Sequence, residues 1–471
     1  MKLFLLLIVV PLIFPPFAIA QTLDLQAPNN KFGIHIISPT ESEVKNAAQF
    51  VNSSGGDWGY VTVVIQRNDQ NRDKWQNFFD LLRRYHLIPI VRIATETRDG
   101  YWVRPDANDA NHWADFLSGL NWPTKRRFVV VYNEPNQGKE WGNSSAPASY
   151  ARILDQTITA LKGRSSDFFV MNAGFDESAP QNTPFYYDEE KFLEKMDSTV
   201  PGIFEKLDGW VSHSYPNPDF SGKPADSGRG TIRGYEWELT LLTKLGVKKY
   251  LPVFITETGW KHREGVVDDP SFLSAGTVAE YFRTAFESVW GSEQVVAVTP
   301  FVLDYPQPPF DHFSLRKVLG STSEFLLPYK TISGLLKNSG LPTQDRKARF
   351  ESESLNLGLI EGNEYRVPIT VKNVGQVIWG ERGRVELVPS NVPGLETSHA
   401  ALPQGTFVEP GQSYTFELVI FAEKAGNYEI KIDFTGDRFL YEGGEISIRT
   451  KVKSKNTIVR FAENLCGRFL E

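Results

Sequence analysis

Residues Arg127–Trp141 read RFVVVYNEPNQGKEW. Phe128 to Tyr132 form an unbroken apolar and aromatic run, the pattern of a strand buried on both faces, and the run meets Asn133, Glu134 and Pro135. Pro135 cannot continue a sheet ladder, so the strand must stop there. A core strand that ends by presenting a carboxylate requires a sheet whose strand ends open on a site.

The same kind of run recurs along the chain: FGIHII (32–37), YVTVVI (60–65), LIPIVRI (87–93), FVVVYN (128–133), FFVMNA (168–173), LDGWVSH (207–213), PVFITE (252–257) and VVAVTPFV (295–302). Amphipathic helical patterns separate these strands, among them ESEVKNAAQFVNS, DKWQNFFDLLRRY and SYARILDQTITALK, and YKTISGLLKN follows the last strand. Thr40 and Glu43 have capping-box spacing before the first helix. Near-continuous apolar strands joined by helical crossovers predict a parallel sheet covered by helices. Eight units predict an α/β fold of the (β/α)8 TIM-barrel type over residues 21–345. A doubly wound sheet would carry a glycine-rich turn after its first strand, and GIHIISPTESE has none.

Beyond KNSGLPTQDRKARFESES the period changes to two. YRVPITVKNVG, RVELVP, SYTFELVIF, NYEIKIDF and EISIRTKV, punctuated by EPGQ and KAGN, predict a small antiparallel all-β sandwich over 350–452. Its VKNVGQVIW, VEPGQ and AGNYEIKIDF segments resemble bacterial immunoglobulin-like accessory domains, which implies a spacer role with Trp379 in the core. The tail, 453–471, places Ile458, Phe461, Ala462, Leu465 and Phe469 on one helical face, suited to docking on its own domain.

Residues 1–20 read as a secretory signal: one lysine, an apolar run, then Ala18-Ile19-Ala20 before Gln21. A secreted or extracytoplasmic location is therefore expected. No later run approaches about 18 apolar residues, so no obligatory membrane contact is expected. The formal net charge of -7, with no basic cluster, argues against a nucleic-acid partner. Cys466 is the only cysteine, so no intramolecular disulfide can form. The seven histidines (35, 86, 112, 213, 262, 312, 399) lack paired ligand spacing, and neither metal nor cofactor is expected. Oligomeric state has no signal in the sequence.

In such a barrel the strand ends carrying Asn133 and Glu134 face the open mouth. The seventh strand supplies a second carboxylate there: YLPVFITETGW places Glu257 at its end, across the mouth from the fourth. Two facing carboxylates suit glycoside hydrolysis, in which the departing oxygen needs a proton while the oxocarbenium-like centre needs negative charge. One glutamate must stay protonated and the other ionised, and a negative neighbour helps by raising its partner's pKa. Asn133 would then donate to the sugar 2-hydroxyl.

Asn-Glu-Pro after the fourth strand, ITETGW at the seventh and HSY at the sixth resemble the clan A glycoside hydrolases. These form the retaining "4/7" superfamily, which includes cellulases, mannanases and β-xylosidases. The resemblance covers most of Phe32 to Tyr305 and rests on about a dozen positions. It implies that Glu134 is the acid/base and Glu257 the nucleophile of a double displacement on β-linked oligo- or polysaccharides, with carboxyls about 5 to 5.5 Å apart. It also implies that Tyr215 holds Glu257 ionised and that His213 lines the donor subsite. Arg92 would add positive charge near the nucleophile, although clan members more often carry a comparable arginine on strand two and here it lies on strand three.

Trp260 and Trp141, just beyond the two catalytic strands, are expected as stacking walls for sugar rings. Trp58 and Trp102 lie in or near loops and are open to either stacking or packing. Trp75, Trp113, Trp237 and Trp290 lie in helical patterns and belong to the core. The eighth strand lacks the tryptophan that many clan members place there, leaving Phe301 or Tyr305 to substitute. Two other readings remain open: a glycan-binding surface protein without catalysis, and a transglycosidase on the same scaffold.

Overall fold

The computed structural model describes residues 28–319, 322–352, 354–436 and 439–455. The expected signal segment and the helical part of the tail lie outside them. Eight parallel strands form where the apolar runs stand: β1 (Gly33–Ile36), β2 (Gly59–Gln66), β3 (Leu87–Ala94), β4 (Arg127–Val131), β5 (Phe168–Met171), β6 (Trp210–Ser212), β7 (Val253–Ile255) and β8 (Val295–Val298). They pair in sequence order as a five-stranded sheet, β1 to β5, and a three-stranded sheet, β6 to β8. Single parallel bridges link the free edges, Met171 to Gly209 and Phe32 to Val298.

The side chains explain why both faces are apolar. Alternate residues point to opposite faces of a strand. Val129 and Val131 of β4 join the large cluster under the helices, whereas Phe128 and Val130 join a second cluster fed by β2 to β8, including Tyr60, Ile90, Phe169, Met171, Val211 and Phe254. The crossover helices are α1 (Glu41–Val51), α2 (Arg72–Arg84), α3 (Asp109–Ser118), α4 (Pro147–Arg164), α5 (Glu189–Thr199), α6 (Gly234–Lys244) and α7 (Ala275–Thr284), with α8 (Leu327–Gly334) after β8. The capping box is only half formed. Thr40 accepts from the Glu43 amide at 3.3 Å, but the Glu43 carboxylate turns outward to accept from Ile37 and Ser38 at 3.1 and 2.9 Å. α7 changes after Thr284 to a π-helical turn, Ala285–Val289.

The C-terminal region is all-β, with nine strands: β9 (Ala348–Phe350), β10 (Ser354–Ile360), β11 (Glu364–Asn373), β12 (Val385–Pro389), β13 (Leu395–Thr397), β14 (Ala400–Ala401), β15 (Ser413–Ala422), β16 (Gly426–Gly436) and β17 (Phe439–Lys453). They form two sheets, β9-β11-β15-β13 and β10-β17-β16-β12-β14. The sheets are not wholly antiparallel as expected, because β10 runs parallel to β17. Their shared core holds Trp379, packed on Phe434 and Tyr441 at 4.5 and 5.8 Å.

Polar contacts join this region to the α/β region. Arg84 makes two 2.7 Å bonds to Glu409, His86 bridges Asp57 and Glu381 at 2.7 and 3.1 Å, and Gln376 donates to the Thr124 carbonyl at 3.0 Å. No helix among the described residues is long and apolar enough to cross a membrane.

Candidate active site

At the C-terminal ends of the parallel strands lies a cleft of about 720 Å³. Arg92, Asn133, Glu134, His213, Tyr215 and Glu257 all line it. Six positions separated by up to 165 residues in sequence thus share one cavity.

Glu134 is not part of its strand. β4 ends at Val131, two residues before the expected Asn133, and Tyr132 and Glu134 have φ of 71° and 30°. Left-handed backbone at non-glycine residues persists only where surrounding contacts hold it. Here the Glu134 amide donates to the Gly174 carbonyl at 3.0 Å, and the Pro135 carbonyl accepts from Ser145 at 3.0 Å. Tyr132 is locked edge-on against Trp141 at 5.6 Å. The turn aims the carboxylate into the cleft, where Oε1 lies 3.0 Å from His213 Nδ1 and Oε2 accepts from Gln137 at 2.7 Å.

Glu257 follows β7 by two residues and is nearly buried. Arg92 donates to its Oε1 at 2.5 Å, the Tyr215 hydroxyl donates to Oε2 at 3.2 Å, and His213 Nδ1 and His35 Nε2 lie 3.9 Å away. Burial alone would push this carboxyl up. The charges of His213 and Arg92, the neighbouring His35 ring and the Tyr215 hydrogen bond outweigh burial and bring it down to about 2. His213 moves the other way: burial disfavours its charge, but Glu257 and Glu134 together raise its pKa above 6.5. An oxygen of Glu134, one of Glu257 and a ring nitrogen of His213 all lie within 4.8 Å of one another. That spacing also suits a divalent cation, but the Arg92 guanidinium already supplies Glu257 with positive charge and opposes a second cation.

Asn133 is held on both sides, accepting from Arg92 through Oδ1 at 2.5 Å and donating from Nδ2 to Glu140 at 3.2 Å. Its second amide hydrogen is therefore the one left for a ligand. Glu140 and Asp176 flank Glu134. Burial, then the negative charge of Glu134, pushes them up to about 7 and about 6.

Trp141 and Trp260 do not form the expected stacking walls. Both are 1% exposed and absent from the cleft lining. Trp141 wedges between Tyr132 and Tyr150, and Trp260 packs on Phe282 and donates to the Gly222 carbonyl at 2.7 Å, so their faces are consumed in bracing the loops after β4 and β7. Trp58 is likewise buried, stacked on His86 at 4.8 Å. Besides Tyr215, the aromatic residues lining the cleft are Trp102, Phe220, Phe301, Tyr305, Phe310 and the mostly buried Trp75 and Phe313.

Sequence reasoning passed over Glu140, Asp176, Gln137 and His35. For His35 a signal existed: it lies at the end of the first strand, where the rule that selected Glu134 and Glu257 also applies.

No protein-family model matches this sequence, and no curated protein sequence does. Similar solved structures include a family 39 glycoside hydrolase from Bacteroides cellulosilyticus WH2, 14% identical over 83% of this chain and 81% of that one, with a TM-score of 0.45. Others are a GH128 endo-β-1,3-glucanase from Sorangium cellulosum (15%, 64% and 97%, 0.41) and the catalytic domain of the GH30 xylanase C from Talaromyces cellulolyticus (11%, 83% and 96%, 0.40). Likenesses this distant carry no functional assignment.

Proposed function

We propose that the protein is a glycosidase that cleaves O-glycosidic bonds of β-linked saccharides with retention, using Glu257 as nucleophile and Glu134 as acid/base. The observation that carries this reading is the pairing of two carboxylates within 4.8 Å in different environments, one bonded by Arg92 and Tyr215, the other 3.0 Å from His213 Nδ1. Carboxylate oxygens no more than 4.8 Å apart leave no room for an intervening water and suit direct attack.

In the first step a Glu257 oxygen bonds to the anomeric carbon while the proton of the Glu134–His213 pair passes to the departing oxygen, yielding a glycosyl ester and a free alcohol. Esterification removes the Glu257 charge, and Glu134, having given up its proton, acts next as base. Glu134 then takes a proton from water, the hydroxyl bonds to the anomeric carbon, and Glu257 leaves as carboxylate. Asn133 would hold the 2-hydroxyl as the oxocarbenium-like transition state forms.

On the same reading the two parallel sheets act as one (β/α)8 barrel over 21–345. The bridges Met171–Gly209 and Phe32–Val298 and the interior cluster between the strands support this. Residues 350–452 are an immunoglobulin-like spacer, and export follows from the sequence of residues 1–20.

Aryl β-glycosides incubated with the full chain and with Glu257→Ala test the assignment. Turnover by the parent and none above background by the variant is expected, with the first-formed sugar in the β-anomer by NMR. Equal turnover by both proteins defeats the assignment.

A further inference from the structure

We propose that His35 is a specificity-determining residue that hydrogen-bonds a hydroxyl of the sugar unit seated against Glu257, and that this unit is a neutral sugar rather than a uronic acid. The proposal rests on the glycosidase reading above and goes on to name the substrate class.

His35 lies on β1 and lines the cleft, yet it is only 1% exposed. Its backbone is fixed on both sides, with its amide donating to the Pro300 carbonyl at 3.1 Å and its carbonyl accepting from Leu303 at 3.0 Å. Its ring is set edge-on against Phe301 at 5.2 Å. Neither ring nitrogen has a hydrogen-bond partner among the described residues. Burial, with Arg92 and His213 nearby, holds the imidazole down to about 3 despite the Glu257 charge, so the ring is neutral. A neutral imidazole carries one donor and one acceptor, and leaving either unpaired in a buried site costs about 1–3 kcal/mol. Such groups are rare in native proteins and call for a partner.

The partner's chemistry follows from the neighbours. Nε2 is 3.9 Å from Glu257 Oε1, so the ring faces the sugar unit whose anomeric carbon Glu257 attacks. A hydroxyl matches an imidazole in either tautomer, because it can both donate and accept. A carboxylate beside His35 would face the Glu257 carboxylate and find the nearest cation, Arg92, already committed. Arg92 bonds Glu257 and Asn133, Lys74 is 2.5 Å from Asp69, and Lys139 lies by Glu140 and Asp176, the residues that flank Glu134 rather than His35.

The test uses the full chain with 4-nitrophenyl β-glucoside, β-galactoside, β-mannoside, β-xyloside and β-glucuronide, then monodeoxy analogues of the best neutral substrate. One deoxy analogue should lose about 10- to 100-fold in kcat/KM with the parent and about 2-fold or less with His35→Phe. His35→Gln, which keeps a donor and an acceptor, should restore part of the discrimination. Equal penalties in the parent and His35→Phe for every deoxy analogue, or a preference for the glucuronide, overturn the proposal.

If His35→Phe does not fold, ¹⁵N NMR of the His35 ring in Glu257→Ala decides: saturating substrate should shift both ring nitrogens, and unchanged resonances overturn the proposal. Loss of turnover in Glu257→Ala keeps the glycosidase reading intact whichever way His35 falls. Failure of the parent to hydrolyse any member of the panel defeats the reading and the proposal together.

Discussion

Replacing Arg92 with leucine should move the acid limb of the kcat/KM profile upward by about two pH units or more. Arg92 and Glu257 are each 11% exposed at the side chain and 2.5 Å apart, so little solvent screens the pair. Removing one partner of a buried pair typically costs about 3–5 kcal/mol, and one pKa unit is about 1.4 kcal/mol, which sets the size of the shift.

The sign follows from the ionisation of Glu257. Its folded pKa, about 2, lies below the ordinary 4.5, so its contribution to stability is fully present above pH 4.5 and lost as pH falls toward 2. Without the guanidinium, burial dominates and the carboxyl takes up a proton at higher pH, losing nucleophilicity in the same range. The assay is kcat/KM from pH 3 to 8 on an aryl glycoside with an activated leaving group, so that protonation by Glu134 does not limit the rate. Tryptophan fluorescence over the same range separates inactivation from unfolding. Arg92→Lys keeps the charge but loses the fork that also reaches Asn133, and should shift less. An acid limb in Arg92→Leu that stays below pH 3, as the parent's should, would refute the claim that Arg92 holds Glu257 ionised.

Glu134→Gln should slow substrates with poor leaving groups far more than activated ones, as a plot of log kcat/KM against leaving-group pKa would reveal; a uniform loss counts against Glu134 as the acid. Gly174→Ala should cut activity sharply, because a Cβ there overlaps the His213 ring while the Gly174 carbonyl anchors the Glu134 amide; unchanged kinetics would show that the ring has room to move. Trp260→Ala should destabilise by about 3–5 kcal/mol in chemical denaturation, as for a core aromatic, whereas Trp102→Ala should chiefly raise KM. His86, pushed up to about 9 by Asp57 and Glu381 against burial, should contribute about 1–2 kcal/mol that is complete below pH 6.5 and lost as pH rises through 9. Urea titrations of the parent and His86→Gln across that range should converge at the alkaline end.

What local sequence encodes here is which face of an element is apolar. All eight parallel strands were readable because both of their faces are buried, so their runs need no knowledge of neighbours. Partner choice is different: the period-two run of β10 is the same whether it pairs parallel or antiparallel, and only the core of the C-terminal region selects β17. A similar limit hid the turn after β4. Neither tyrosine nor glutamate favours left-handed backbone, and the contacts that hold Tyr132 and Glu134 there come from Gly174, Ser145 and Trp141. Trp141 and Trp260 were misjudged for the complementary reason. They do lie beyond β4 and β7, but bending the chain so that Glu134 enters the cleft needs a bulky brace behind it, and a ring used as a brace cannot also offer its face to a sugar. Proximity to a carboxylate in sequence therefore argues for a supporting role as strongly as for a binding one. The cleft's aromatic surface came instead from the ends of β3 and β8 and the loop after β6, where no carboxylate had to be aimed.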